Sequence, residues 1–466
     1  MTKKNARGQR LLCYYGDDFT GSTDVLESLT EGGAETVLFL EPPSEARLAH
    51  FPDAQCFGVA GVGRSMSPER MERELRPLLE RLKNCGAATV HYKICSTFDS
   101  SPRAGSIGKV LELGRELYPR QSFVPVVAGA PRLKRYTLFG HHFAAGGDGA
   151  THRLDRHPTM SRHPITPMAE SDLRLHLREQ TDLPVALMDW TALTGTGEEA
   201  GSRLRERLEG SDAKAVLFDV LDEEGLEMTG RLIWQEVEAA GESLFAVGSS
   251  GLSDGLAAWW RRQGLLRPRT EATVPPGETD RLLVLSGSCS PVTQTQIEWA
   301  LAHGFAGIQI PALDWLDPDR VEASCAEVFK QALRRLGEGQ SVILYSAAGP
   351  DDPSIGALRT RLDELGWETA DSARAIGTRL GGLARNLVAA ARLRRILIAG
   401  GDTSGYVTRE LGIDAITFRS AIVPGGPLCR CYSEDPRLDG LELSLKGGQV
   451  GGADYFELVR RGGRTL

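Results

Sequence analysis

Two adjacent carboxylates stand in Tyr15-Gly16-Asp17-Asp18-Phe19-Thr20-Gly21-Ser22-Thr23-Asp24, where a short apolar run, Leu11–Tyr15, passes into a helical pattern. At the carboxyl end of a strand, such a pair can take a hydroxyl proton, bind sugar hydroxyls or hold Mg2+. The plainer reading is an Asp N-cap beside a glycine turn. One Asp suffices for a cap, whereas this stretch adds a second Asp and several hydroxyl residues. Asp17 and Asp18 are therefore the candidate catalytic residues.

Two further strand ends carry groups suited to a small polyhydroxy acid. Gly61-Val62-Gly63-Arg64-Ser65 offers Arg64 as a carboxylate clamp, weighed evenly against a surface Arg before a helix. Lys93-Ile94-Cys95-Ser96-Thr97-Phe98-Asp99-Ser100 brings Lys93, Ser96, Thr97 and Asp99 together. The ammonium suits a carboxylate, while the hydroxyls and Asp99 suit sugar hydroxyls. Cys95 has no base near it in sequence and reads as a packed thiol.

The second half of the chain carries three loops of small residues. Leu285 to Gln296 runs from a strand through Ser286, Gly287, Ser288 and Ser290 into a helix, with Pro291 at its start. Leu397 to Tyr406 holds Gly400, Gly401, Asp402, Thr403 and Ser404. Lys446 to Gly452 is glycine-rich, includes Gly448 and makes Lys446 available to a phosphate. Small residues let backbone N–H groups approach a phosphate at a helix start. Each loop alone is weak, but three in one region make nucleotide binding the best reading, with Asp402 available to a metal or a hydroxyl. There is no GxxxxGK[ST] and no G-x-G-x-x-G after the first strand, which disfavours the common P-loop and dinucleotide folds.

His141, His142, His152, His157, His163 and His176 crowd one segment. Their spacing does not place two ligands on one helix face, and Pro158 and Pro164 break helix there. A loop covering the substrate, with one or two His touching it, is the preferred reading over a metal site.

These groups need a scaffold that sets them at strand ends. Apolar runs bounded by Gly, Asp or Ser recur at Leu11–Tyr15, Thr36–Leu40, Cys56–Ala60, Thr89–Ile94, Phe123–Ala128, Val185–Met188, Ala215–Val220 and Leu244–Val247. They continue at Leu282–Ser286, Ala306–Ile310, Val342–Tyr345, Ile396–Ala399 and Ala415–Phe418. Helical patterns such as Pro68–Asn84, Leu313–Leu336 and Gly377–Arg392 lie between them. The alternation predicts an α/β protein with mostly parallel sheets. The Pro-rich stretch Leu265–Asp280 reads as a linker, dividing the chain into domains 1–270 and 271–466 with a cleft between them. Phe139 to Pro167 lacks periodicity and is expected to be irregular.

Composition narrows the partners. The 466 residues are 41% hydrophobic and 25% charged, an ordinary soluble balance, and the net charge of -8 argues against nucleic acid. Eight cysteines without a CxxC pair suit a reducing compartment. No stretch approaches the roughly 18 apolar residues of a spanning helix, so no membrane is expected and the location is read as cytoplasmic.

Taken together, these motifs resemble the four-carbon acid sugar kinase family over nearly the whole chain. The resemblance rests on Gly16 through Asp24, Lys93 through Asp99, His163-Pro164-Ile165-Thr166-Pro167-Met168, Gly248-Ser249-Ser250-Gly251-Leu252, Gly287 through Ser290 and Gly400 through Gly405. It implies an N-terminal domain that binds a sugar acid and a C-terminal domain that binds ATP with Mg2+. Arg64, Lys93, Ser96, Thr97, Asp99 and His163 then fall to the substrate. Ser288, Ser290, Gly400, Gly401, Asp402, Thr403, Ser404 and Gly448 fall to ATP. Family activities implied by the resemblance are phosphorylation of threonate, erythronate and 3-oxo-tetronate at the terminal hydroxyl, and of 3-oxo-isoapionate in a related branch. Ser22 stands where Ala is usual and Asp402 where Glu is usual. The block Arg153 to Pro164 is extended. That block tilts the expectation toward the 3-oxo-isoapionate branch. A non-catalytic sugar-acid sensor and a metal-dependent aldolase or decarboxylase are the rivals from other classes, and a homo-oligomer is left open.

Overall fold

The structure is a computed structural model describing residues 10–147, 149–163, 165–266, 276–367 and 369–463, without the side chains of 369, 370 and 402. It divides into two compact units, one of residues 1–37 with 42–270 and one of 38–41 with 271–466. The expected domain boundary and most of the linker fall outside the described residues.

In the first unit, apart from the last two residues of β2, the strands are β1 (Leu12–Gly16), β2 (Thr36–Phe39), β3 (Cys56–Ala60), β4 (Thr89–Lys93), β5 (Val124–Val127), β6 (Arg135–Leu138), β7 (His141–Ala145), β8 (Thr151–Arg153), β9 (Val185–Met188), β10 (Ala215–Phe218) and β11 (Leu244–Gly248). The main sheet has the order β2-β3-β1-β4-β11-β5-β10-β9, and every pairing from β3 to β9 is parallel. Strands covered by helices on both faces are buried along their length and largely apolar. Accordingly Leu12, Cys13 and Tyr14 of β1 and Val90 of β4 are fully buried. After β1 the chain fills one side with β2 and β3, then crosses to β4 on the other. That reversal leaves a crevice at the carboxyl ends of β1 and β4. The register sets Gly16, Ala60, Lys93 and Gly248 in one row at that edge.

The second unit repeats the logic with β12 (Leu283–Ser286), β13 (Ala306–Gln309), β14 (Val342–Tyr345), β15 (Arg395–Ala399), β16 (Ala415–Val423), β17 (Gly426–Tyr432) and β18 (Glu442–Lys446). Their order is β13-β14-β12-β15-β18-β17-β16, parallel from β13 to β18 and antiparallel beyond. The reversal point lies between β12 and β15, with Ser286, Ala399 and Lys446 aligned at the carboxyl edge. At the opposite edge Arg395 is 2% exposed and fully bonded. It gives Nε and Nη2 to Glu442 at 2.8 and 2.5 Å, and its remaining donors to the carbonyls of Val459, Arg460 and Gly277. Losing one partner of such a buried pair costs about 3–5 kcal/mol, so this knot locks the C-terminal helix Tyr455–Arg461 to the sheet.

Three expectations are corrected. The segment from Phe139 is not wholly irregular: β7 and β8 lie within it and join β6 in a small antiparallel sheet. Along β7 only alternate residues, His142 and Ala144, are buried. Leu313–Leu336 is not one helix but two, Ala312–Trp315 and Val321–Gly337. Pro318 disfavours helical backbone at Asp317 and breaks it. The helix expected over Gly377–Arg392 runs from Thr369 to Ala391. Among the described residues, no helix is long and apolar enough to cross a membrane.

Candidate functional site

At the first reversal point, Asp17 follows β1 directly, and its N–H donates to the Lys93 carbonyl at 2.9 Å. Asp18 caps the helix Phe19–Glu31: Oδ1 accepts from the Gly21 N–H at 2.7 Å and Oδ2 from Thr20 Oγ1 at 2.8 Å. The N-cap reading thus holds for this residue, which also stands at the carboxyl end of β1. Arg64 reaches across from the turn after β3. Its Nε and Nη2 donate to Asp17 at 3.2 and 2.8 Å, and Nη1 pairs with Asp18 at 3.0 Å. A Cβ at Gly21 would lie 2.4 Å from Asp18 Oδ1 and 2.8 Å from Lys93 Nζ, so the helix start approaches both groups closely. Lys93 is buried, and its ammonium donates to the Ile94 carbonyl.

The two carboxylates titrate in opposite directions. Burial raises Asp17, against the pull of Arg64. Burial also pushes Asp18 upward, but Arg64, Lys93 and the bonds from Thr20 and Gly21 outweigh it and hold Asp18 below the usual range. Asp18 is the more open of the two, with its side chain 17% exposed against 5% for Asp17. An ionised carboxylate with an open edge can orient a hydroxyl and receive its proton.

The loop after β4 is a chain of short contacts. Cys95 Sγ lies 3.0 Å from Thr97 Oγ1, which donates to Asp99 Oδ1 at 2.8 Å. Burial pushes the Cys95 thiol up to about 11, which keeps it a packed thiol. The Ser96 carbonyl is bonded by His142 Nε2 at 2.8 Å, while His142 Nδ1 meets Thr137 Oγ1 at 2.9 Å. Burial draws His142 down to about 4, so it acts as a neutral strut between β7 and this loop. His176 does the same for Ser100, at 3.0 Å. His163 uses Nδ1 on the N–H and hydroxyl of Thr166. His141 pairs with Ser171, and His157 accepts from the N–H groups of Thr159 and Met160. His141, His142, His157, His163 and His176 are therefore hydrogen-bonded within the protein. No group of three or more His, Cys, Asp or Glu among the described residues is placed to hold a metal.

Sequence reasoning missed Arg135. It starts β6 and gives Nη1 to three backbone carbonyls, while its buried Nε has no partner. Burial lowers its pKa, with Cys95, Asp99 and Asp24 within electrostatic reach. A half-buried guanidinium with an unpartnered Nε suits an anion. Its only sequence signal was a basic residue at the edge of an unrecognised strand.

In the second unit the three loops converge. Ser290 caps the helix Pro291–Ala302, its Oγ accepting from the Thr293 N–H at 3.1 Å and donating to the Gly448 carbonyl. Ser288 Oγ meets Thr293 Oγ1 at 2.9 Å. Gly400 has a φ of +117°, a conformation that favours glycine, and opens the helix Gly401–Glu410. Ser404 is buried with its hydroxyl on the Gly400 carbonyl at 2.6 Å. A Cβ at Gly287 would lie 2.0 Å from Thr403 Oγ1, and one at Gly448 would lie 3.2 Å from Ser288 Oγ. Lys446 is fully buried and donates to Thr293 Oγ1 at 2.9 Å. Closely packed small-residue loops, two helix N-termini and a buried ammonium make a donor set that fits a polyphosphate. The side chain of Asp402 lies outside the described atoms.

Family profiles match both units. One described as a sugar-binding N-terminal domain covers residues 12–256, and one described as a nucleotide-binding C-terminal domain covers residues 283–456. The chain belongs to the four-carbon acid sugar kinase family. It is 47% identical to 3-oxo-isoapionate kinase of Paraburkholderia graminis over 452 residues, which is 97% of this chain and 94% of the relative. It is 32% identical to 3-oxo-tetronate kinase of Pseudomonas fluorescens over 461 residues, covering 98% and 97% of the two chains. A solved structure from Salmonella typhimurium LT2 superposes with a TM-score of 0.75 at 25% identity, covering 97% of this chain and 99% of that one. One from Haemophilus influenzae gives 0.66 at 24% identity, covering 96% and 98%, and shares the fold.

Proposed function

We propose that this protein is an ATP-dependent kinase that phosphorylates the terminal hydroxyl of 3-oxo-isoapionate, giving 3-oxo-isoapionate 4-phosphate. The observation that carries the substrate is the 47% identity along almost the full length of a kinase of that name. The relatives at about a third identity act on 3-oxo-tetronate, which makes that acid the second reading.

In the proposed mechanism, Asp18 orients the substrate hydroxyl and takes its proton. Asp17 and Arg64 are positioning residues. Arg64 spends its donors on the two aspartates, which keeps Asp18 ionised and aimed. Lys93 and Arg135 hold the carboxylate. Ser96, Thr97 and Asp99 take substrate oxygens, as does His163 through Nε2. Ser288, Ser290, Gly400, Gly401, Thr403, Ser404 and Gly448 surround the nucleotide. Phosphoryl transfer asks for positioning and charge stabilisation more than covalent chemistry, which suits such sites. Mg2+ usually keeps waters and binds one or two carboxylates plus phosphate oxygens, so a preformed three-ligand cage is not required, and Asp402 is its proposed ligand. Bound there, it would neutralise charge on the phosphates. Dependence on ATP fits a cytoplasmic setting.

A coupled ADP-release assay over branched and linear oxo acids tests this. We expect the highest kcat/KM with 3-oxo-isoapionate and a lower value with 3-oxo-tetronate. The reverse order would reassign the substrate. Tight acid binding without ADP release, or product formation without ATP, would replace the kinase with a sensor or an aldolase.

A further inference from the structure

We propose that the Lys446 ammonium contacts the phosphates of the bound nucleotide and supplies the cation of that site; the inference rests on the nucleotide reading of the second unit. Lys446 closes β18 beside Ala399, at the edge from which the Gly400 loop departs. It is fully buried, and Thr293 is its hydrogen-bond partner among the described residues. An ammonium has three donors, so two are left for other acceptors. Burying them unsatisfied is costly unless an acceptor arrives with the ligand.

The surroundings contain no described counter-charge. The loop after β12 brings the hydroxyls of Ser288 and Ser290 and the thiol of Cys289, which burial raises and so keeps neutral. The helix Pro291–Ala302 brings Thr293 and Gln296, the latter bonded to the carbonyls of Val450 and Gly452. The strand β15 and the following helix bring Ala399, Gly400, Thr403 and Ser404. The side chain of Asp402 is outside the described atoms. Thr293 Oγ1 joins Lys446 to Ser288 and Ser290, so the amine belongs to the same hydrogen-bonded cluster as the helix cap. A buried lysine with no carboxylate partner among the described residues, joined to a capped helix start, is what an anion of more than one charge would complete.

A consequence separates this role from a structural one. Burial draws Lys446 down to about 7, so in the free protein the amine is mostly neutral at pH 8. A phosphate beside it favours the charged form and raises its pKa. Nucleotide binding above pH 7 should therefore take up a proton, and affinity should fall as pH rises. Below pH 7 the amine is already charged, and both effects should fade.

The test is calorimetric titration of ADP, and separately adenosine, into the full-length protein at pH 8 in two phosphate-free buffers of different ionisation enthalpy. We expect uptake of roughly 0.9 proton with ADP, from a free-state pKa near 7, and none with adenosine. Lys446→Met should weaken ADP about tenfold to a hundredfold at pH 7, abolish the uptake, and leave adenosine affinity unchanged. ADP binding without proton uptake, or with equal affinity in the variant, would overturn the proposal while leaving the nucleotide site standing. Failure of ADP and adenosine to bind the wild type would overturn the site itself. If the variant does not fold, the wild-type contrast between ADP and adenosine decides.

Discussion

Asp18→Asn should lower kcat by about 10²–10⁴-fold, the usual worth of a positioned proton acceptor. The substitution is chosen because it separates chemistry from structure. Asn caps a helix about as well as Asp, so its amide oxygen can still accept from the Gly21 N–H. The bidentate pairing of Arg64 with Asp17 is also retained. What goes is the negative charge and the capacity to receive a proton. The melting temperature should therefore move little, and KM for ATP should hold, while turnover collapses. Steady-state ADP release and a thermal melt on the same preparation check this. A variant that keeps its melting temperature and loses less than about threefold in kcat would remove Asp18 from the chemistry.

Gly287→Val should abolish measurable nucleotide binding while sparing the sugar-acid site. The added Cβ would start 2.0 Å from Thr403 Oγ1, closer than atoms can pack, and 3.1 Å from Thr403 Cβ. One loop must then leave the other, and backbone N–H groups placed for a phosphate lose their alignment. Gly400 cannot absorb the movement easily, since its φ of +117° already depends on lacking a side chain. Isothermal titration with ADP should show a loss of more than about a hundredfold, with sugar-acid binding intact as the control. Unchanged ADP affinity would mean that phosphate does not enter between these loops.

The parts of this account that were visible in the sequence share one property. Buried parallel strands read as unbroken apolar runs, and their carboxyl ends read as abrupt clusters of Gly, Asp, Ser and Lys. Asp17, Asp18, Lys93, Gly287 and Gly400 were legible because each sits where such a run stops. The hidden parts lie in strands without that signature. β7 alternates buried and half-exposed residues through two histidines, so it read as loop, and Arg135 beside it was overlooked. Lys446 reads in the sequence as a lysine available to a phosphate, at the head of a glycine-rich loop, but not as a buried one. Its burial depends on recognising β18, whose signal was the alternation of Leu441, Leu443 and Leu445 with polar residues. The opposing titration of Asp17 and Asp18 depends on Arg64, which lies 47 residues along the chain from Asp17, and no local pattern could state it.

The central claim is that a sugar acid gripped at the end of β1 and β4 receives the terminal phosphoryl group of ATP. The most direct measurement is a proton–phosphorus correlation spectrum of the product made from 3-oxo-isoapionate and ATP by the purified protein. We expect a phosphate monoester whose phosphorus couples to the protons of the terminal hydroxymethyl carbon, formed one for one with ADP. A spectrum showing only inorganic phosphate beside ADP, or a phosphorus coupled at another carbon, would contradict it.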